Sequence, residues 1–93
     1  MRIKYIKKHI NGQLDYYDSN DRIVEIKYPN GKYEIREYHS NGILKSRKFS
    51  NGKYERYNEN KQLIYRKYLN EEEIWERDND GRCIKYTRHV YFK

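Results

Sequence analysis

The sequence predicts an all-β protein: a single curved antiparallel meander sheet of about nine short strands, built from four hairpin repeats of ~20 residues. Three observations predict it. Asn-Gly or Asp-Gly pairs stand at 11–12, 30–31, 41–42, 51–52 and 80–81, with degenerate versions at Asn20-Asp21, Asn60-Lys61 and Asn70-Glu71. The pairs recur every 9 to 11 residues, and they suit tight hairpin loops, whose positive φ Gly and Asn tolerate. Between the pairs lie short segments rich in Tyr, Ile and charge, with partial period-2 alternation. A break about every ten residues leaves no room for three helical turns. Finally, the 93 residues are 38% charged and 16% aromatic; 12 are Tyr, only 16 are Ile, Leu or Val, and none is Ala. That is too little aliphatic bulk for a thick two-layer core, yet too many aromatic and β-branched residues for a disordered chain.

The elements follow in order. A Lys-rich strand near residues 2–10 opens the chain, and repeats then run roughly over 12–30, 31–51, 52–70 and 71–93. Each repeat holds two strand types. The first type begins after a turn and ends in Tyr: 13–17, 32–38 and 53–57, with a fourth copy at 72–77 that carries Trp75 and ends in Arg77. The second follows a four-residue turn and closes on an aromatic: 22–28, 43–49 and 62–68, with a fourth copy starting at Arg82-Cys83-Ile84-Lys85-Tyr86. Nine strands at about 4.8 Å spacing give a twisted sheet roughly 40 Å long. Cross-strand Tyr pairs, each contributing about 0.2–1 kcal/mol, are expected to carry much of its stability. The first strand reads as a charged, protected edge, and the last, with Val90-Tyr91-Phe92, as one that pairs or docks.

The run Tyr38-His39-Ser40-Asn41-Gly42-Ile43-Leu44 resembles the Tyr-x-x-Asn-Gly-x-Leu core of bacterial MORN-type repeats. Tyr17-Asp18-Ser19-Asn20-Asp21-Arg22-Ile23 is similar to the Tyr-Asp-x-x-Gly-Arg-Leu core of YD (RHS-type) repeats, with Asp21 in place of Gly; Asp78 to Cys83 also resembles it, without the leading Tyr. The resemblance implies a fold of β-hairpin repeats and no enzymatic activity by itself.

Several classes are excluded. No apolar run of 18 or more residues spans a membrane, and no 7–15-residue apolar stretch follows the basic start as a secretory signal would require. The single Cys83 forms no internal disulfide, so the expected compartment is cytoplasmic, the host cytoplasm for a phage-encoded chain. His9, His39 and His89 lie 30 and 50 residues apart, with no HExxH motif, paired Cys or close His/carboxylate cluster, and read as surface or partly packed side chains rather than a site. Cys83 takes the position of Ile23, Leu44 and Leu63 in the other repeats and reads as a small packed hydrophobe. Every Gly belongs to a hairpin turn, so no phosphate loop precedes a helix. The chain is read as non-enzymatic, with no metal site and no cofactor.

Charge gives the functional expectation. Formal charge runs +4 over 1–13, −2 over 14–31, +6 over 32–68, −5 over 69–80 and +4 over 81–93. Lys27, Lys48 and Lys67 hold equivalent positions in three repeats and should form a ladder on one face, with rungs about 10 Å apart. On the other parity, Arg47 and Arg66, with Tyr28, Phe49, Tyr68 and Lys45, form a second ladder of guanidinium and ring. Cations on phosphates and rings on bases are how sheets hold single-stranded nucleic acid; Lys and Arg covering Tyr rings for solubility is the bland alternative. Charge reversal at Arg47 and Arg66 should then abolish RNA binding at little cost in stability. The acidic group Glu71, Glu72, Glu73, Glu76 and Asp78 reads as a solvated turn or a protein-docking patch, since it lacks the spacing of a calcium loop. The expected partner is RNA or a ribonucleoprotein such as a host nuclease, the chain acting as a phage-type, anti-CRISPR-like inhibitor of a defence nuclease. The alternative is an interaction module or immunity-type protein with a purely protein partner. A homodimer through a sheet edge or face is a further expectation.

Overall fold

The structure is a computed structural model describing residues 3–91. Met1, Arg2, Phe92 and Lys93 lie outside the described residues, and with them Phe92 of the expected last strand and residue 2 of the first. The described residues form nine strands: β1 (Tyr5–Lys8), β2 (Leu14–Tyr17), β3 (Ile23–Lys27), β4 (Tyr33–Tyr38), β5 (Leu44–Phe49), β6 (Tyr54–Tyr57), β7 (Leu63–Tyr68), β8 (Glu71–Arg77) and β9 (Cys83–Val90). They make one sheet in chain order, every neighbour antiparallel. β1 and β9 do not pair, so the sheet is open, with principal extents of 44 × 37 × 20 Å.

Seven of the eight hairpin loops share one construction. In each of the five-residue loops beginning at His9, Asp18, Tyr28, His39, Phe49, Asn58 and Asp78, the first residue donates its N–H to the fifth residue's carbonyl. The fourth residue donates to the first residue's carbonyl. That fourth residue has positive φ throughout: Gly at five loops, Asp21 (60°) and Lys61 (67°) at the other two. These seven are the second members of the turn pairs read from the sequence. An Asx side chain closes each of these seven loops. Asp18, Asn58 and Asp78 accept backbone N–H groups two and four residues on, while Asn11, Asn30, Asn41 and Asn51 accept the one two residues on.

The eighth loop corrects the expectation at Asn70-Glu71. Tyr68 pairs directly with Glu71, so the turn is the two-residue Leu69-Asn70, with Leu69 at φ 51°, and β8 begins at Glu71 rather than at residue 72. Here the longer loop gives way to a tight one whose first central residue takes the left-handed conformation.

The repeats are joined beyond the ladder. Register shifts fall at Tyr16/Tyr17, Glu37/Tyr38, Arg56/Tyr57 and Glu76/Arg77, one bulge per repeat along one rim, each adding local twist. There Tyr38 donates its hydroxyl to the Ile23 carbonyl one repeat earlier, and Arg77 reaches the equivalent Leu63 carbonyl at 3.0 Å. Gln62 donates to Gly81 O at 2.8 Å, and its amide fills the space that a Cβ on Gly81 would need.

Burial is shallow and its chemistry unexpected. Among the described residues the only buried hydrophobics are Val24 (4% exposed) and Ile26 (6%), whereas Asp15, Glu34, Ser46 and Glu55 are equally buried. Asp15, Glu34 and Glu55 are equivalent: each stands third after a loop glycine, on the same side of the sheet. Tyr pairs do occur, Tyr5 stacked on Tyr17 at 4.7 Å and Tyr54 edge-on to Tyr65 at 5.9 Å. The sheet interior is nonetheless organised around carboxylates. Cys83 is a further correction. It is exposed, because β9 is an edge strand with nothing packed beyond it among the described residues.

Candidate nucleic-acid interface

Residues directly opposite in an antiparallel pair share a face, so the register sorts every candidate. One row runs through Arg36, Arg47, Glu55, Arg66, Glu73 and Arg88 on β4 to β9; beside it runs Lys7, Asp15, Ile26, Glu34 and Phe49 on β1 to β5. This is the arginine face. Tyr28 and Tyr68 share it by parity with Ile26 and Arg66, and Lys45 is the extra residue at the β5 bulge beside it. The opposite, lysine face holds a row of Glu25, Ile35, Lys48, Tyr54, Lys67, Glu72 and His89, flanked by Lys27 with Tyr33 and by Arg56 with Tyr65. The two ladders read from the sequence thus lie on opposite sides of one layer, so a strand lying flat on one face meets only one of them.

Arg47 and Arg66 do point the same way, but neither is free. Arg47 Nη2 donates to Glu55 Oε1 at 2.9 Å, and its guanidinium lies 5.1 Å from the Phe49 ring centroid. Its Nε is buried with no acceptor among the described residues. Arg66 grips Glu73 through Nε and Nη2 at 2.9 and 2.8 Å while covering Trp75. Arg36 pairs with Glu34, and Arg88 with Glu71 at 2.6 Å. Burial alone would raise the Glu55 carboxyl pKa; hydrogen bonds from Arg47 and Tyr57 and the charges of Arg47 and Lys53 outweigh it and hold the group below the ordinary carboxylate range. These pairs argue against the expectation that charge reversal at Arg47 and Arg66 costs little stability: Arg47 neutralises the buried Glu55, and Arg66 the half-buried Glu73.

The lysine face is different. Lys27, Lys48, Arg56 and Lys67 are exposed and make no salt bridge among the described residues. Glu72 faces Lys67 across the β7–β8 pair, yet it accepts the Tyr65 hydroxyl, whose pKa is pushed up to about 12 by that hydrogen bond and by burial. Lys27 lies 5.2 Å over the Tyr16 ring, and Arg56 6.0 Å over Tyr65. Lys48, Tyr54 and Lys67 are consecutive in one row, so the two lysines stand about 10 Å apart with a ring between them. Lys27 is out of line: it faces Tyr33, and the row of Lys48 meets β4 two residues on, at Ile35. β4, with six residues where the equivalent β2 and β6 have four, displaces the first rung by one pleat.

The acidic group is likewise divided. Glu71 and Glu73 lie on the arginine face, with Arg88 and Arg66; Glu72 and Glu76 lie on the other, and Asp78 closes its own loop. The histidines are built in: His9 Nε2 meets Asp15 at 2.7 Å, His39 Nε2 meets the Tyr57 carbonyl at 2.8 Å, and His89 stacks on Tyr91. No group of three or more His, Cys, Asp or Glu among the described residues could hold a metal ion, and no helix among them is long and apolar enough to cross a membrane. Arg56, Tyr54 and Tyr65 are the candidates that sequence reasoning missed. Counting two residues back from the flagged Lys67, and two on from Tyr54, would have placed them on the lysine face.

Comparison with known proteins finds neither a family model nor a curated relative that matches the sequence.

Proposed function

We propose that this chain is a non-enzymatic binding protein that holds single-stranded RNA, free or within a nuclease ribonucleoprotein, on its lysine face. The observation that carries the reading is the cluster of Lys48, Lys67 and Arg56 around Tyr54 and Tyr65, cations without carboxylate partners interleaved with aromatic rings. Cations there meet phosphates, and the tyrosine faces offer stacking for bases, contributing about 1–3 kcal/mol each. The net charge of +7 favours a polyanionic partner and steers it at low salt. A cytoplasmic setting and the role of a phage-type nuclease inhibitor belong to the same proposal. So does the MORN- or YD-type repeat resemblance, which speaks for the hairpin architecture alone.

Fluorescence-polarisation titration with a short single-stranded RNA at several salt concentrations tests the reading. Four phosphate contacts give a slope of log affinity on log salt of about −3. Lys48→Glu with Lys67→Glu should remove the binding and flatten the slope while the melting temperature holds. Absence of salt-dependent binding, or binding indifferent to that double substitution, overturns it. A purely protein partner is then the reading to pursue, by capture from lysate with and without ribonuclease.

A further inference from the structure

The two edges of the sheet are unlike. β1 has four residues flanked by Lys4 and carrying Lys7 and Lys8, the short charged kind of edge that resists strand addition. β9 is the longest strand, with eight residues and no proline, and it exposes Ile84 (67%), Tyr86 and Val90 with Tyr91 just beyond. Its outward backbone is defined by the register. Tyr91 donates its N–H inward to Asn70 O at 2.7 Å, so by alternation the N–H and C=O groups of Tyr86, Arg88 and Val90 point away from the sheet, while Ile84 is the extra residue of the bulge opposite Glu76/Arg77.

We infer that two copies of the chain join edge to edge through β9, antiparallel, about a two-fold axis at Thr87. In this register Ile84 of one copy meets Val90 of the other, and Tyr86 meets Arg88, an apolar pair and a cation–ring pair. Thr87 meets Thr87, and Lys85 faces His89. The outward groups of Tyr86 and Arg88 form two narrowly spaced pairs, about four backbone hydrogen bonds, and Val90 falls opposite the bulge at Ile84. Moving the axis to Arg88 sets two permanent like charges opposite one another. Moving it to Tyr86 takes Tyr91 out of the pairing and sets Ile84 against Arg88. A two-fold axis perpendicular to the sheet keeps the faces, so both lysine faces end on the same side of one continuous sheet. The occupant is therefore a second copy, chosen by the complementarity of the strand with its own reverse.

Sedimentation equilibrium of the RNA-free protein over about 1–100 μM tests this apart from the RNA reading. The expected mass rises with concentration from 11.7 kDa toward twice that value. It rises more readily at higher salt, which screens repulsion between two chains of net charge +7. Arg88→Pro removes an outward donor while sparing the inward ladder and should leave a monomer with strand circular dichroism retained. Thr87→Cys in a Cys83→Ser background should oxidise to a covalent dimer, because a non-hydrogen-bonded antiparallel pair brings Cα atoms to about 4.5 Å, within disulfide reach. A chain that stays monomeric throughout the range overturns the inference. So does a dimer that survives Arg88→Pro, or one that the residue-87 thiols fail to link; if Arg88→Pro does not fold, the cross-link decides.

Discussion

The arginine face and the lysine face are made from the same strands and nearly the same residue types, yet their cations end differently. Arg66 and Lys67 are adjacent in sequence and each lies opposite a glutamate of β8. Arg66 holds its glutamate with two N–H groups, whereas Tyr65 takes the glutamate facing Lys67. The arginine fork matches a carboxylate bidentately and an ammonium does not. Local pairing, more than net charge, thus determines which cations remain available to a partner.

The largest effect that would break the comparison is charge reversal on the arginine face. Arg47→Glu leaves Glu55 (6% exposed) facing a second carboxylate, and should cost about 3–5 kcal/mol in urea denaturation. Arg66→Glu should cost less, since its pair with Glu73 is more open to water. An unchanged midpoint for Arg47→Glu would mean that the ion pair contributes nothing.

Acid should act on the same face. Burial would raise the Asp15 carboxyl pKa, but hydrogen bonds from Gln13 and His9 outweigh it, and the group sits below its ordinary value. Glu55 behaves likewise, and Tyr86 and Arg66 hold Glu73 low by hydrogen bonding. Groups lowered on folding contribute stability above their unfolded pKa, near 4, and lose it as pH falls through the folded values. Thermal melts should therefore stay flat in this respect from pH 7 to about 5 and drop below about pH 4. A midpoint as high at pH 2.5 as at pH 7 would contradict this.

A smaller and opposite change belongs to the irregular loop. Leu69 is 73% exposed and held at φ 51°, so Leu69→Gly relieves strain and loses little packing; it should stabilise by about 1 kcal/mol, read as a raised urea midpoint. Smallest of all, Lys48→Glu or Lys67→Glu alone should shift stability by no more than about 0.5 kcal/mol. A loss as large as that of Arg47→Glu would erase the distinction between the faces.

Much of the fold was legible because turns are local. An Asn or Asp followed by a residue able to take positive φ acts within five residues, so seven loops and their strands could be read directly from the chain. The exception is Leu69-Asn70, where the turn falls one residue before the Asn70-Glu71 pair that the sequence marks. Which side chains share a face was also legible, since alternation needs only a count of two, and it put Arg47 with Arg66 and Lys48 with Lys67. The fate of those cations was not. Asp15, Glu34 and Glu55 look like surface charge in sequence and are among the most buried residues of the sheet, and the aligned partners of Arg47 and Lys27 depend on strand lengths and bulges elsewhere.

Sequence alone therefore determined the hairpin meander, its repeat and the alternation of its residues, because each is set by backbone preferences acting over a few positions. Only the tertiary structure decided that Arg36, Arg47, Arg66 and Arg88 are neutralised, that Lys27, Lys48 and Lys67 are open, and that β9 has no outer neighbour among the described residues. Those outcomes depend on which residue of a neighbouring strand comes within hydrogen-bond reach, and that is a property of register across the whole sheet.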